Sequence, residues 1–183
     1  MRLHYISILT LGLSFTAQNT LAQLEEIIVT ATKREQNMQE IPVSVNAISE
    51  TALQEAGVTD IGDVSALVPS LTVNSNLNPF ATAIRIRGIG TSQNDPSLEA
   101  SVAFILDGIY MGRSGLGMSD LADVERIEVL QGPQGTLYGK NSNAGVISVV
   151  TTSPNTEEAE GYVEATLGNY GLQTYQAALS GPV

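Results

Sequence analysis

The sequence predicts an α+β fold: a small domain with a mixed β-sheet and short helices, followed by one β-hairpin. Short segments of alternating apolar and polar residues recur between residues 41 and 151, and turn-forming Gly, Pro, Asn and Asp residues separate them. Two stretches among them carry helix-capping signals instead. Strands interspersed with short helices are typical of an α+β domain, which we place at residues 40–153.

The first half of this domain is predicted to hold three strands and two helices. Ser49 can cap a helix over residues 50–56, and Asp60 can cap a second helix that ends before Pro69. Pro42 suits an edge strand because it cannot donate a ladder hydrogen bond. The strands are predicted at residues 41–46, 71–75 and 83–87.

The second half is predicted to be mainly β. The Asp107-Gly108 pair indicates a tight hairpin between two strands. Residues 121–124 allow one helical turn, and the Gly-rich residues 131–135 form a turn. The strands are predicted at residues 102–106, 109–111, 126–130 and 146–151.

Residues 154–183 have a different character. Residues 162–167 and 172–180 alternate cleanly around a turn at residues 168–171. If the two segments pair in this way, one face is polar and the other consists of Val163, Ala165, Leu167, Tyr175, Ala177 and Leu179. An apolar face toward lipid and a polar face inward are typical of an outer-membrane barrel strand. An ordinary hairpin with one solvent-exposed face is the alternative that these residues leave open.

The charge and composition argue against several classes of function. The chain has 8 Lys and Arg residues against 19 Asp and Glu residues, a formal net charge of −11, whereas nucleic-acid binding needs basic patches. It contains no Cys and a single His, His4, so the commonest general base and the commonest zinc ligands are missing from the rest of the chain. We therefore expect no enzyme activity, no cofactor, no resident metal ion and no nucleic-acid partner.

The N-terminus has the pattern of an export signal, which we place at residues 1–22. Arg2 precedes an apolar stretch at residues 6–15, and Thr20-Leu21-Ala22 offers small residues at the cleavage positions. The alternative is a membrane anchor, but a spanning helix needs about 20 predominantly apolar residues, and polar residues from Thr16 onward interrupt this one. The mature chain is therefore expected to leave the cytoplasm.

A β-prone run and a polar stretch together occupy residues 23–39, directly after the signal. The run at residues 25–32 is rich in Ile, Val and Thr, which favour extended backbone. Residues 33–40 are polar and lack apolar periodicity, which predicts a flexible leash. A tethered extended segment can add itself to the open sheet edge of another protein through main-chain hydrogen bonds.

Nine short motifs, in this order along the chain, resemble those of TonB-dependent outer-membrane receptors. They are Glu26-Ile-Ile-Val-Thr-Ala31, Ile41-Pro-Val-Ser-Val45, Gly57-Val-Thr-Asp60, Leu67-Val-Pro-Ser-Leu71, Ile84-Arg-Ile-Arg-Gly-Ile-Gly90, Asp107-Gly-Ile-Tyr110, Asp123-Val-Glu-Arg-Ile-Glu-Val-Leu130, Gln131-Gly-Pro-Gln-Gly-Thr-Leu-Tyr-Gly139 and Gly145-Val-Ile-Ser-Val-Val150. The resemblance covers essentially the whole chain. It implies a signal peptide, a TonB box with its leash, a plug domain that fills the lumen of a β-barrel, and the first barrel hairpin.

By this resemblance the TonB box comprises Glu26, Ile27, Ile28, Val29, Thr30 and Ala31. The box would lie in the periplasm, where the TonB protein of the energised inner-membrane complex pulls on it. The pull would pass through the leash to the edge of the plug near Ile41 and open a path for substrate. The barrel would contact outer-membrane lipid; since two strands cannot close a barrel, we expect the chain to be an incomplete receptor.

The resemblance also implies that plug arginines pair with barrel glutamates and so lock the plug to the barrel wall. Arg87 and Arg126 match this role, and Arg85 is a third candidate. The alternative is that all three are solvated charges on strand faces. Where many relatives have Arg before Gly-Pro, this chain has Gln131, which would weaken the lock.

Substrate recognition in this family lies in outer loops of the barrel and in outward-facing apices of the plug. Residues 74–79 and 90–97 are the expected apex loops, because their polar and Pro-rich composition is typical of exposed loops. The candidate contact residues are Asn74, Asn76, Asn78, Ser92 and Asn94. A ferric siderophore is the expected substrate by family frequency, and cobalamin, haem and oligosaccharides stay open.

Other motifs and functions fit the residues less well. Residues 135–141 resemble a phosphate-binding loop, but they are one residue short and place Asn141 where Ser or Thr would hold magnesium. The aspartates at 60, 63, 120 and 123 have a spacing that could bind calcium but is more typical of helix capping. The remaining alternatives to a receptor plug are a stand-alone periplasmic binding module and a non-functional fragment.

Overall fold

The computed structural model describes residues 27–30, 33–34, 36–74, 82–91, 98–112, 121 and 123–182. The predicted export signal at residues 1–22 lies outside them. The strands are β1 (Ile28–Val29), β2 (Gln36–Asn37), β3 (Val45–Ser49), β4 (Leu71–Asn74), β5 (Ala83–Ile86), β6 (Ile89–Gly90), β7 (Val102–Leu106), β8 (Ile109–Met111), β9 (Val124–Gln131), β10 (Gly145–Thr151), β11 (Glu160–Leu167) and β12 (Gln173–Ser180). The helices are α1 (Glu50–Glu55), α2 (Val64–Leu67) and α3 (Gly135–Tyr138), with one 3₁₀ turn at Asn169–Gly171. The predicted α+β fold is confirmed.

A mixed five-stranded sheet forms the centre of the domain, with strand order β3-β9-β10-β7-β8. β10 pairs with β7 in parallel, and the other neighbouring pairs are antiparallel. In this register Val146 of β10 lies opposite Leu130 on one side and Ala103 on the other. β4, β5 and β6 form a second, antiparallel sheet, while β1–β2 and β11–β12 are separate hairpins.

Both faces of the central sheet are buried. The first face shares a hydrophobic cluster with α1, α2 and the second sheet, which includes Leu53, Val64, Ile86, Phe104, Ile127 and Ile147. The second face carries a smaller cluster, whose buried members are Val29, Ile41, Ala103, Ile105, Leu130 and Val146. Since a strand covered on both sides needs apolar residues at successive positions, β7 and β10 are near-continuous apolar runs.

Both predicted helices are present, but one begins later than expected. Ser49 caps α1, because its hydroxyl accepts a hydrogen bond from the Ala52 N–H at 3.4 Å. The Asp60 carboxylate instead closes a turn, accepting from the N–H groups of Gly62 at 2.6 Å and Asp63 at 3.1 Å. α2 therefore begins only at Val64.

Two local expectations are wrong, and one short helix was not predicted. β3 begins at Val45 and not at residue 41, because Pro42 cannot donate to a ladder and the Ile41 side chain packs into the second cluster. Asp123 has a left-handed backbone with φ +58° and Val124 begins β9, so neither adopts the helical turn expected at residues 121–124. α3 was not expected, since Gln134 gives it no side-chain cap and its four residues are too few for an apolar period.

The C-terminal hairpin, β11–β12, pairs so that the predicted apolar residues share one face. Val163 lies opposite Ala177, and Ala165 lies opposite Tyr175, so the apolar side chains share one face. That face is open, with Val163 85% and Leu179 87% exposed. The other residues of β12 are less exposed, so its polar face is the more covered one. Within the described residues, no helix is both long and apolar enough to cross a membrane.

Candidate functional site

The predicted TonB box is folded against the domain. The structure describes Ile27, Ile28, Val29 and Thr30 of the box, while Glu26 and Ala31 lie outside the described residues. Ile28 pairs with Asn37 and Val29 with Gln36 in an antiparallel two-residue ladder. The Met38 N–H also donates to the Ile27 carbonyl oxygen at 3.1 Å. Residues 36–40 of the expected leash therefore turn back along the box and do not extend away from it. We call the described part of residues 27–40 the N-terminal hairpin.

The N-terminal hairpin covers the second face of the central sheet. Val29 is completely buried, whereas the neighbouring Ile28 is 49% exposed. Val29 belongs to the cluster of Leu130 and Val146, and Met38 of the hairpin packs against the same cluster. Full burial of a Val side chain contributes about 1.5–3 kcal/mol, so packing alone gives the box a substantial hold on the sheet.

A buried carboxylate beneath the box provides a second hold. Glu128 of β9 is completely buried, and its Oε1 accepts hydrogen bonds from the Thr30 N–H at 2.8 Å and the Thr30 hydroxyl at 3.1 Å. The same oxygen accepts from Arg126 Nε at 2.9 Å, and Arg126 also pairs with Glu125. Its other oxygen, Oε2, is buried without a hydrogen-bond partner among the described residues. Thr30 of the box and Arg126 therefore both donate to the same carboxylate oxygen of β9.

Sequence reasoning missed Glu128, although a signal for it exists. Strand alternation puts Arg126, Glu128 and Leu130 on the same face of β9, and Leu130 is in the core. A carboxylate at a core-facing strand position needs partners, because an isolated buried charge is strongly unfavourable. The distant partner, Thr30, could not have been found from the local pattern.

Tyr138 lies near this carboxylate, and Lys33 lies over the Tyr138 ring. Burial raises the pKa of Tyr138 to about 12, and the negative charge of Glu128 acts in the same direction. The Lys33 ammonium lies 5.5 Å from the centre of the Tyr138 ring, within the range of a cation–π contact. An open cavity of about 650 Å³ adjoins these groups, and its lining includes Thr30, Lys33, Arg34, Asp107, Tyr138 and Ser148.

The three candidate lock arginines have different surroundings. Arg126 is mostly buried and is occupied by two carboxylates, Glu125 and Glu128. Arg85 lies within β5, opposite Thr72. The two arginines therefore lie in separate sheets, and only Arg126 has an ion pair among the described residues.

Arg87 is exposed and is hydrogen-bonded to Gln131, the last residue of β9. Its Nε donates to Gln131 Oε1 at 2.8 Å, and its Nη2 lies 3.4 Å from Ser44 Oγ. Gln131 Nε2 in turn donates to Asn46 Oδ1. The structure thus brings Arg87 and Gln131 together at the end of β9, 44 residues apart in sequence.

Of the predicted apex residues, the structure describes one. Asn74 ends β4, opposite Ala83, and is exposed. The other four, Asn76, Asn78, Ser92 and Asn94, lie outside the described residues. Within the described part of the chain, no group of three or more His, Cys, Asp or Glu side chains could hold a metal ion.

Comparison with known proteins identifies the family. The family model "TonB-dependent Receptor Plug Domain" matches residues 37–146. The pesticin receptor of Yersinia pestis is 30% identical over 168 residues, which cover 91% of this chain and 24% of that receptor. The vitamin B12 transporter BtuB of Vibrio vulnificus is 33% identical over 144 residues, covering 76% of this chain and 22% of that transporter.

Solved structures agree in fold. The ferric yersiniabactin uptake receptor FyuA from Yersinia pestis superimposes with a TM-score of 0.70 at 32% identity, covering 77% of this chain and 22% of that one. The ferripyoverdine receptor of Pseudomonas aeruginosa gives a TM-score of 0.68 at 26% identity, covering 84% of this chain and 20% of that one. The chain thus spans about a quarter or less of the length of these relatives. The chain belongs to the TonB-dependent receptor plug domain family.

Proposed function

We propose that the chain is the plug portion of a TonB-dependent outer-membrane receptor that actively takes up a scarce, bulky nutrient. The observation that carries this proposal is the docked box. Val29 is buried on the central sheet, and Thr30 is bonded to Glu128 of β9, so a pull on the box acts directly on a central strand. In this proposal the plug gates a barrel lumen, and the box, in the periplasm, couples it to the TonB protein.

The short ladder of the box suits a reversible exchange of partners. β1 pairs with β2 over only two residues. Each main-chain hydrogen bond contributes about 0.5–1.5 kcal/mol net, so a partner strand that pairs over more residues can replace this ladder. The exposed face of Ile28 is where such a strand would first meet the box.

A ferric siderophore is the substrate we propose. The relatives described as a ferric yersiniabactin uptake receptor and a ferripyoverdine receptor, at 32% and 26% identity, support it. A vitamin B12 transporter at 33% identity makes cobalamin the principal competitor. The relatives are transport receptors and not enzymes, and no catalytic residue is proposed here.

Two further contacts belong to this proposal. The open apolar face of the C-terminal hairpin, which includes Val163 and Leu179, would contact outer-membrane lipid as the first part of the barrel. Arg87 is the lock residue that we favour, because it is exposed at the plug surface. A lock through Arg126 would have to share its guanidinium with Glu125 and Glu128, and Arg85 stays a third candidate.

Deletion of residues 26–32 tests the coupling. In cells producing the complete receptor, uptake of a ferric siderophore that depends on the proton-motive force is expected to stop. Binding of the same siderophore to isolated outer membranes should persist. A five-residue deletion at 154–158, where every residue except Asn155 is exposed, controls for shortening of the chain away from the box. Unchanged uptake without the box would refute the proposal.

A stand-alone periplasmic plug module is the second candidate function. The observation in its favour is that both faces of the central sheet are buried within the chain itself. An immunoblot of cell fractions separates the two candidates. A band several times heavier than 19.3 kDa in the outer membrane supports the receptor, and a band near that mass in the periplasm supports the module.

A further inference from the structure

Glu128 makes contacts that a simple internal ion pair would not need. It is completely buried, yet two of the three donors to its Oε1 come from Thr30, 98 residues away. Only the third donor, Arg126 Nε, lies on its own strand. A buried carboxylate depends on its donors, because desolvation of the charge must be offset by hydrogen bonds.

The docked box is therefore part of the environment that stabilises this charge. When Thr30 leaves, Glu128 keeps Arg126 but loses an N–H and a hydroxyl donor at once. The charge on Arg126 is also shared with Glu125. Release of the box thus costs hydrogen bonds to a charged group, which are stronger than neutral ones.

We propose that Glu128 is a latch that holds the TonB box on the plug and limits its availability to a partner strand. This inference rests on the proposed coupling function. Because Val29 is buried beside the latch, a strand can pair fully with the box only after the box has been released. The apparent association constant of the partner is then its intrinsic value multiplied by the fraction of chains whose box is released.

Cysteine labelling measures release of the box directly, because the chain contains no native Cys. Val29→Cys places a thiol, the reporter thiol, at a fully buried position that a maleimide reaches only when the N-terminal hairpin opens. Val149→Cys supplies a matched reference thiol, since Val149 is 1% exposed in the cluster on the first face and reports opening of the whole domain. Each thiol is introduced separately. Labelling is measured on the full chain in mild detergent, which covers the open face of the C-terminal hairpin.

Glu128→Gln is the informative substitution, because it keeps the shape of the side chain and removes its charge. We expect the reporter thiol to react about tenfold faster when Glu128→Gln is added, the factor that corresponds to ~1.4 kcal/mol, with the reference thiol unchanged. Glu125→Gln is the matched control: Glu125 contacts Arg126 but not Thr30, so the reporter thiol should react as before.

Thr30→Val removes only the hydroxyl donor and should accelerate labelling of the reporter thiol by a smaller factor. The Thr30 hydroxyl and the Glu128 carboxylate are the two partners of one hydrogen bond, so their substitutions should not be additive. The reporter thiol of the double variant should react at most about twofold faster than that of Glu128→Gln alone. Additive effects of the two substitutions would contradict the latch.

The latch is overturned if Glu128→Gln leaves labelling of the reporter thiol unchanged, or if it accelerates the reporter and reference thiols equally, since the second result would mean a general loss of stability. It is also overturned if Glu125→Gln has the same effect as Glu128→Gln. No TonB protein is present in these measurements, so the latch can fail while the box deletion still abolishes uptake, and the two proposals are tested separately.

Discussion

Replacing Gly145 with Ala is expected to destabilise the domain strongly. Gly145 begins β10 and lies opposite Gln131 of β9 and Val102 of β7. A Cβ atom at this position would collide with the Leu130 carbonyl oxygen and lie 2.6 Å from Ile86 Cδ1. Because β9 is held between β3 and β10, its backbone cannot move away without loss of ladder hydrogen bonds on both sides.

Two costs add at Gly145: its φ of +154° is a backbone conformation that side chains rarely adopt, and an added Cβ would meet backbone as well as the Ile86 side chain. Extra methylene groups in a packed core cost about 1–3 kcal/mol, and a clash with backbone belongs at the upper end of that range. We therefore expect Gly145→Ala to lower the free energy of unfolding by about 3 kcal/mol. This is a large part of the about 5–15 kcal/mol by which typical domains are stable.

Two other glycines, at which an added Cβ meets nothing within 4 Å, serve as comparisons. At Gly108, with φ +79°, an added Cβ meets nothing within 4 Å, so Gly108→Ala carries only the left-handed penalty of about 1–2 kcal/mol. Gly112 has open space and no such φ, so Gly112→Ala should change stability by less than about 0.5 kcal/mol. Urea unfolding followed by circular dichroism measures the free energy of unfolding of the three Gly→Ala variants, with the m-value expected to stay constant. A loss at Gly145 no larger than that at Gly108 would refute the steric argument.

Three further predictions follow from single contacts. Arg126→Met leaves Glu128 buried without its cation and should lower the free energy of unfolding by about 3–5 kcal/mol in urea unfolding. Glu125→Gln, at a partly exposed partner, should lower it by less than about 1 kcal/mol, and equal losses would contradict this account. The pKa of Tyr138 is raised from 10.0 to about 12, so the folded chain keeps a proton that the unfolded chain loses in this pH range. The free energy of unfolding should therefore fall as the pH rises from 10 to about 12, and it should fall less steeply in Tyr138→Phe. If the C-terminal hairpin faces lipid, Val163→Lys should reduce recovery of the complete receptor in the outer membrane, because a Lys at mid-bilayer costs about 2–4 kcal/mol. Glu164→Lys, on the other face of the hairpin, should leave recovery unchanged.

Elements with their own local signal were predictable from the sequence. Ser49 caps α1 as expected, and the Asp107-Gly108 turn has the positive φ values, +47° and +79°, that its sequence indicates. The register of the C-terminal hairpin followed from strict alternation, because pairing with a one-residue slip would mix its two faces. In each case neighbouring residues carry the information.

The contacts of the candidate site were not predictable in the same way. The β-prone run and the TonB box motif were visible, but the polar residues after them indicated a free leash, and residues 36–40 instead fold back along the box. The sequence drew attention to Gln131 and to Arg87 separately, but their hydrogen bond joins the end of β9 to the turn between β5 and β6. Such pairings depend on how separate elements pack, and a local pattern does not encode that.

The sequence by itself determined the class of the fold, its short strands and their turns, and the motifs that assign the chain to its family, because these depend on period, turn chemistry and residue order. Only the tertiary structure decided where the predicted TonB box lies. α1, α2 and the second sheet pack on the first face of the central sheet, whereas the N-terminal hairpin packs on the second face, with Leu130 and Val146. That packing brings Thr30 to Glu128 across 98 residues and buries a charge beneath the box.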